Sequence, residues 1–176
     1  LGAFSTVMGS TDLAFAMITG GNWFKVPESI KVVLSGKPGK YTTGKDVILE
    51  VIRMIGVDGA LYRTLEFTGS TIPYLSMDDR FSMCNMAIEA GAKSGIVAYD
   101  EITAEFLADK PLAREPKIHY SDEDATYVQI LEIDVANLEP VIAYPFLPSN
   151  GHSLSQAVSD KIKVDQAFIG SCTNGR

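Results

Sequence analysis

The sequence predicts an α/β fold. Short apolar runs with period-two alternation are interleaved with longer runs at 3.6-residue spacing, and Gly, Pro, Ser, Thr or Asp residues bound most of them. Interleaving of this kind argues for helices layered on a sheet. With 176 residues and 46% hydrophobic content, the chain can bury one good core, or one core and part of another.

The elements follow in order. Residues 9–20 (Gly-Ser-Thr-Asp-Leu-Ala-Phe-Ala-Met-Ile-Thr-Gly) predict a helix capped by Ser10 or Thr11 and stopped at Gly20-Gly21. It is apolar nearly all round, so it is expected to be buried. Ser29 to Leu34 alternates through Ile30, Val32 and Leu34 as a strand. Thr43 caps an amphipathic helix with Asp46 in the acidic variant of the capping box, Val47, Ile48, Val51, Ile52 and Ile55 on one face, and Gly56 as its stop. Arg63 to Thr68 predicts a second strand, with Leu65 and Phe67 opposite Glu66. Ser76 and Asp79 open a third helix, whose core face is read as Met77, Phe81, Cys84 and Ile88, closing at Gly91.

Ile96-Val97-Ala98 reads as a short buried strand, and Asp100 or Thr103 starts a helix through Phe106 and Leu107. Pro111 and Pro116 mark a loop, and Asp122-Glu123-Asp124 reads as a solvated face. Tyr127 to Ile133 alternates as a longer strand. Pro140 to Pro148 reads as an exit strand and a linker, which places a domain boundary near residue 146. Val164 to Ile169 predicts a last strand, followed by the turn Gly170-Ser171-Cys172-Thr173-Asn174-Gly175-Arg176.

Composition excludes several classes. Net charge is −7, with Lys and Arg scattered, whereas phosphate backbones call for a basic patch; no nucleic acid is expected as a partner. No apolar run reaches the roughly 18 residues of a membrane span. The two cysteines are far apart and do not make a disulfide framework, which favours a reducing cytoplasm. Leu1 is not a start methionine and the chain stops where a helix is expected, so an internal piece of a longer protein is expected.

Three polar features invite a chemical reading. Cys172 sits in a turn at the end of an apolar strand, where backbone N–H groups favour a thiolate able to ligate metal; a buried loop cysteine is the alternative. Asn85 and Glu89 are four residues apart and share a helix face. They either point into a cleft, where amide and carboxylate hold a water and move its proton, or face solvent. His119 and His152 lack partners at metal-ligand spacing and read as loop residues. No P-loop is present.

Phe168 to Arg176 resembles the first cluster-binding motif of the aconitase superfamily, in the Gly-Arg form of its 3-isopropylmalate dehydratase and homoaconitase large-subunit branch. Met83-Cys84-Asn85-Met86-Ala87-Ile88-Glu89-Ala90-Gly91-Ala92 resembles that family's central helix; Trp23 to Ile30 and Leu1-Gly2-Ala3-Phe4 fit it as well. The resemblance covers the whole chain. It departs after Asn150, where Gly151-His152 replaces the usual pattern.

The resemblance implies an aconitase-type three-layer α/β/α domain with a mixed sheet over residues 27–145. Residues 1–26 would be the tail of a preceding domain, and 146–176 a linker and the first strand of a similar following domain. It implies a hydro-lyase that isomerises a malate-type hydroxy acid by dehydration and rehydration, with isopropylmalate in leucine biosynthesis first and homocitrate or 2,3-dimethylmalate as alternatives. A [4Fe–4S] cluster would be held by three cysteines, Cys172 the first, with an open iron as Lewis acid. Asn85 would hydrogen-bond near the cluster, Glu89 would assist departure of the hydroxyl, and Cys84 would stay a core thiol. The other two cysteines, the Asp-Ser-His segment and the serine base of the small swivelling-domain subunit lie outside this sequence, so the piece alone is expected to bind no cluster and to be inactive. A non-catalytic binding or structural domain remains the reading from another class.

Overall fold

The computed structural model describes residues 6, 8–111 and 115–170. Its centre is a parallel sheet of β1 (Ser29–Ser35), β2 (Thr64–Thr68), β3 (Ser94–Val97) and β4 (Gln129–Asp134), in the order β3-β2-β1-β4. Between β1 and β2 runs α2 (Gly44–Ile55), and between β2 and β3 runs α3 (Met77–Met86), extended by a 3-10 turn over Ala87–Ala90. The chain then passes through α4 (Glu101–Leu107) and a long loop before β4 pairs with the far side of β1. An α1 helix (Ser10–Thr19) precedes the sheet; a β5 (Val141–Ala143) and β6 (Gly151–Ser153) antiparallel pair and α5 (Leu154–Asp160) follow it.

The alternation read in the sequence sets which face is buried. Ile30, Val32, Leu34, Leu65 and Phe67 point to one side of the sheet and meet Val47, Ile48, Val51 and Ile52 of α2 and Met83 of α3 in one core. On the other side Lys31 and Glu66 stand opposite each other in register. Residues of the 115–128 loop cover them: the Lys31 ammonium lies 4.9 Å from the Tyr127 ring centre, and Tyr127 Oη and Ser121 Oγ donate to Glu66 at 3.0 and 2.9 Å.

Two acidic caps join the helices to their neighbours. Asp46 accepts from the Thr43 N–H at 2.7 Å and, through its other oxygen, from the Val141 N–H at 2.8 Å, so one carboxylate caps α2 and ties down β5. Asp79 completes a capping box with Ser76 and also accepts from Gly44 N–H at 2.8 Å, linking the N-terminal ends of α2 and α3. Carboxylates suit both helix N-termini because unpaired N–H groups and the helix dipole converge there.

Several expectations are corrected by the structure. The α1 helix has no buried residue; Met17 and Ile18 are 78% and 85% exposed. A helix apolar on all sides needs cover on several sides, and the β1–β4 core offers it none. Residues 164–169 form no strand and are exposed, because no strand among the described residues accepts their backbone bonds. Within the Pro140–Pro148 stretch the exit strand is β5, which pairs with β6 across the following turn, and His152 lies in β6 rather than in a loop. Phe81 and Ile88 are partly exposed; Phe81 packs edge-on against Phe106 at 5.5 Å.

The inner stripe of α3 and its extension is instead Arg80, Met83, Ala87 and Ala90, all buried. Arg80 is fully buried because Asp100, the N-cap of α4, takes its two terminal nitrogens at 2.6 Å each; Thr103 Oγ1 and the Ile72 carbonyl accept at 3.2 and 3.0 Å. Only its Nε lacks a partner. The Arg80 hydrogen bonds hold the Asp100 carboxyl down at about 2, with bonds from Thr103 helping and burial opposing. Because the folded-state value is depressed, this contribution to stability is complete above about pH 4 and is lost as pH falls toward 2. Asp100→Ala, which strands a buried guanidinium, is expected to cost about 3 kcal/mol in urea unfolding at pH 7; the gap to wild type narrows as the titration is repeated down to pH 2.5.

Candidate functional site

The pair singled out by the sequence sits on the outward side of this seated helix. Asn85 lies in the last turn of α3 and Glu89 in the following 3-10 turn, and both are exposed, as is Ile88 between them. Their neighbours Met83, Met86, Ala87 and Ala90 are buried against the core. The helix is not uniform as the sequence reading assumed. From Ala87 it tightens, and each 3-10 residue advances about 120° rather than about 100°. Glu89 is therefore rotated past the position an unbroken α-helix would give it relative to Asn85, while staying on the solvent side.

The end of this segment is tightly held. Gly91 adopts a left-handed conformation at φ 81°. Its N–H reaches the Ile88 carbonyl at 2.8 Å and that of Ala92 reaches Ala87 at 3.1 Å, the two bonds of a Schellman stop. The turn before β2 then grips it, with Ala60 N–H donating to Ala90 and Tyr62 N–H to Gly91 at 2.9 and 3.1 Å. Tyr62 is itself left-handed at φ 56°, an uncommon conformation for a bulky residue. Its hydroxyl accepts from Lys25 N–H at 3.2 Å, and the Lys93 ammonium lies 5.1 Å from its ring centre. The Trp23-to-Pro27 stretch is thereby tied beside the end of the helix. Sequence reasoning missed Tyr62 and Lys93, since nothing in the residue order signals a left-handed tyrosine.

Asn85 and Glu89 lie toward the amino-terminal edge of the sheet, because α3 runs antiparallel to the strands and its end leads into β3. The reversal in strand order falls elsewhere, at β1 between β2 and β4. A cleft of about 380 Å³ is also separate from the pair. It is lined by the Glu50–Arg53 ion pair (2.7 Å), Asn137, Glu139 and β6 residues including His152, whose ring stacks on Tyr144 at 4.1 Å.

Cys172 lies outside the described residues. Among those described, no group of three or more His, Cys, Asp or Glu side chains is arranged to hold a metal. Cys84 does not fit a ligand role: burial pushes its thiol up to about 11, it is mostly covered, and it packs at the edge of the core. The described residues thus supply a polar helix face and a rigid seat for it. No helix among them is long and apolar enough to cross a membrane.

Comparison with known proteins follows the same line. The sequence profile of the family described as Aconitase family (aconitate hydratase) matches residues 1–176. The 3-isopropylmalate dehydratase large subunit of Sulfurimonas denitrificans is 85% identical over 176 residues. The proteins of the same name from Aliarcobacter butzleri and Campylobacter concisus are 77% and 75% identical over 181 and 176 residues. In each case all of this chain is covered, and it spans 42% of the length of the relative.

The Cys84 environment is checked by alkylation. At pH 8 only about a thousandth of a thiol with so high a pKa is thiolate, so iodoacetamide modification of the Cys84 peptide, followed by mass spectrometry, is expected to be far slower than that of an unfolded control and to speed up as pH rises toward 10.

Proposed function

The chain belongs to the aconitase family, and on that premise we propose that it is part of the large subunit of a hydro-lyase that isomerises a malate-type hydroxy acid, with 3-isopropylmalate as the first candidate substrate. The observation that carries this reading is the split character of the α3 segment. Its inner side is seated on the core, and its outer side presents an amide and a carboxylate within four residues. The names of the relatives, each a large subunit, support a small-subunit partner.

A [4Fe–4S] cluster in the full-length protein would have Cys172 among its ligands and, when bound, would supply an open iron as Lewis acid. The chain's own share is assigned to two side chains. The Asn85 amide donates from its Nδ2 or accepts at its Oδ1 to orient the bound acid. The Glu89 carboxyl gives a proton to the departing hydroxyl, so that water leaves while the serine base of the small subunit takes the proton from the adjacent carbon and the double bond forms; Glu89 takes a proton back on rehydration. Within the same reading residues 27–145 are the central domain, with the preceding domain ending near 26 and the next starting near 146, and the β5–β6 pair marks the passage between them. A reducing cytoplasm would keep Cys172 available as a thiolate.

The test uses the full-length large subunit, reconstituted anaerobically with iron and sulfide and assembled with its small subunit. Glu89→Gln is expected to lower kcat by about 10²- to 10⁴-fold with a smaller change in KM. Cys172→Ser is expected to lose the broad cluster absorbance and all turnover. Wild-type kcat in Glu89→Gln would remove the proton-transfer role, and full cluster absorbance in Cys172→Ser would remove the ligand role.

A further inference from the structure

We infer that Gly95, which touches neither solvent nor any candidate ligand, is a positioning residue for Asn85 and Glu89. The inference rests on the dehydratase reading and deepens it. Gly95 is the second residue of β3 and is buried beneath α3. A Cβ placed there would lie 2.8 Å from Cys84 Cα and 3.3 Å from both Ala87 Cβ and Cys84 Cβ. The first contact is to helix backbone, which cannot swing aside like the end of a side chain. Gly95 does not have a left-handed backbone, and a strand interior disfavours glycine. What requires glycine here is the close approach of the helix.

The turn that would be pushed is the one bearing Asn85. Its neighbours in sequence and space, Cys84 and Ala87, make the contact. The helix has little freedom to slide away as a rigid body, since both ends are tied. Asp79 accepts from Gly44 N–H at one end, and Ala90 and Gly91 accept from Ala60 and Tyr62 at the other. A methyl at position 95 therefore bows the middle of the segment outward and shifts the outer side chains. Groups that act on a reacting bond tolerate little displacement; a shift of about 1 Å can cost about 10²-fold in rate.

The experiment compares variants of the same reconstituted two-subunit holoenzyme. Gly95→Ala is expected to lower kcat by roughly 10- to 100-fold, with KM within about threefold and the broad cluster absorbance unchanged in intensity. Val47→Ala, a core truncation in α2, provides the stability control; it is expected to lower Tm while keeping kcat within about twofold. Ala87→Ser adds one atom to the helix side of the same contact, and a kcat loss of about threefold or more is expected even if Gly95→Ala fails to fold. The proposal is overturned if Gly95→Ala and Ala87→Ser, normalised to folded protein, turn over as fast as Val47→Ala. If Glu89→Gln alone has wild-type kcat, the dehydratase assignment of the pair fails and this inference fails with it. A loss in Glu89→Gln with none in Gly95→Ala or Ala87→Ser leaves that assignment standing and removes only the positioning role.

Discussion

The fold depends on the burial of one guanidinium. Arg80 lies on the stripe of α3 that faces the core, a position that would otherwise push the helix away from the sheet. The bidentate contact with Asp100, with Thr103 and the Ile72 carbonyl as further acceptors, neutralises it there. Because Asp100 is also the N-cap of α4, one carboxylate decides both where α3 rests and where the next helix begins. The same economy recurs at Asp46 and Asp79, each of which caps a helix with one oxygen and holds a second segment with the other.

Local chemistry was legible in the residue order. The two capping boxes, the alternation of β1 and β2 and the amphipathic face of α2 follow from spacing alone, and the structure has them within a residue or two. The face of α3 was not legible. An apolar reading skips an arginine and chooses Phe81, Cys84 and Ile88, the stripe beside the buried one; the partner that makes Arg80 an interior residue is 20 positions away. The helix at 10–19 and the run at 164–169 failed for a different reason. Periodicity predicts a face or an alternation, but burial needs a partner, and the core formed by residues 29–135 does not reach them.

For the candidate pair, the exposed helix side was legible and its setting was not. Asn85 and Glu89 were placed on one helical face, and both are on the exposed side. The change from α to 3-10 geometry at Ala87, the Schellman stop at Gly91 and the left-handed Tyr62 are products of tertiary contact. A strand order that reverses at β1 directs attention to the carboxyl edge of the sheet, the usual location for ligands in open α/β folds. The polar pair is instead nearer the amino edge, where a helix ends, so its position is explained by how that helix is terminated rather than by strand topology.

Termination and seating impose opposite demands on such a segment. Side chains that act on a bound acid must project into water or a partner's surface, which deprives them of packing that would hold them still. Their precision then draws on the backbone that carries them. Here the inner stripe narrows along the helix from Arg80 and Met83 to Ala87 and Ala90, and the strand beneath contributes glycine at the point of closest approach. Small residues on both sides bring two backbones together, and rigid main-chain contacts replace rotatable side chains as the reference for the outer face. On the proposed positioning role, an exposed pair is fixed by the backbone beneath it without being buried.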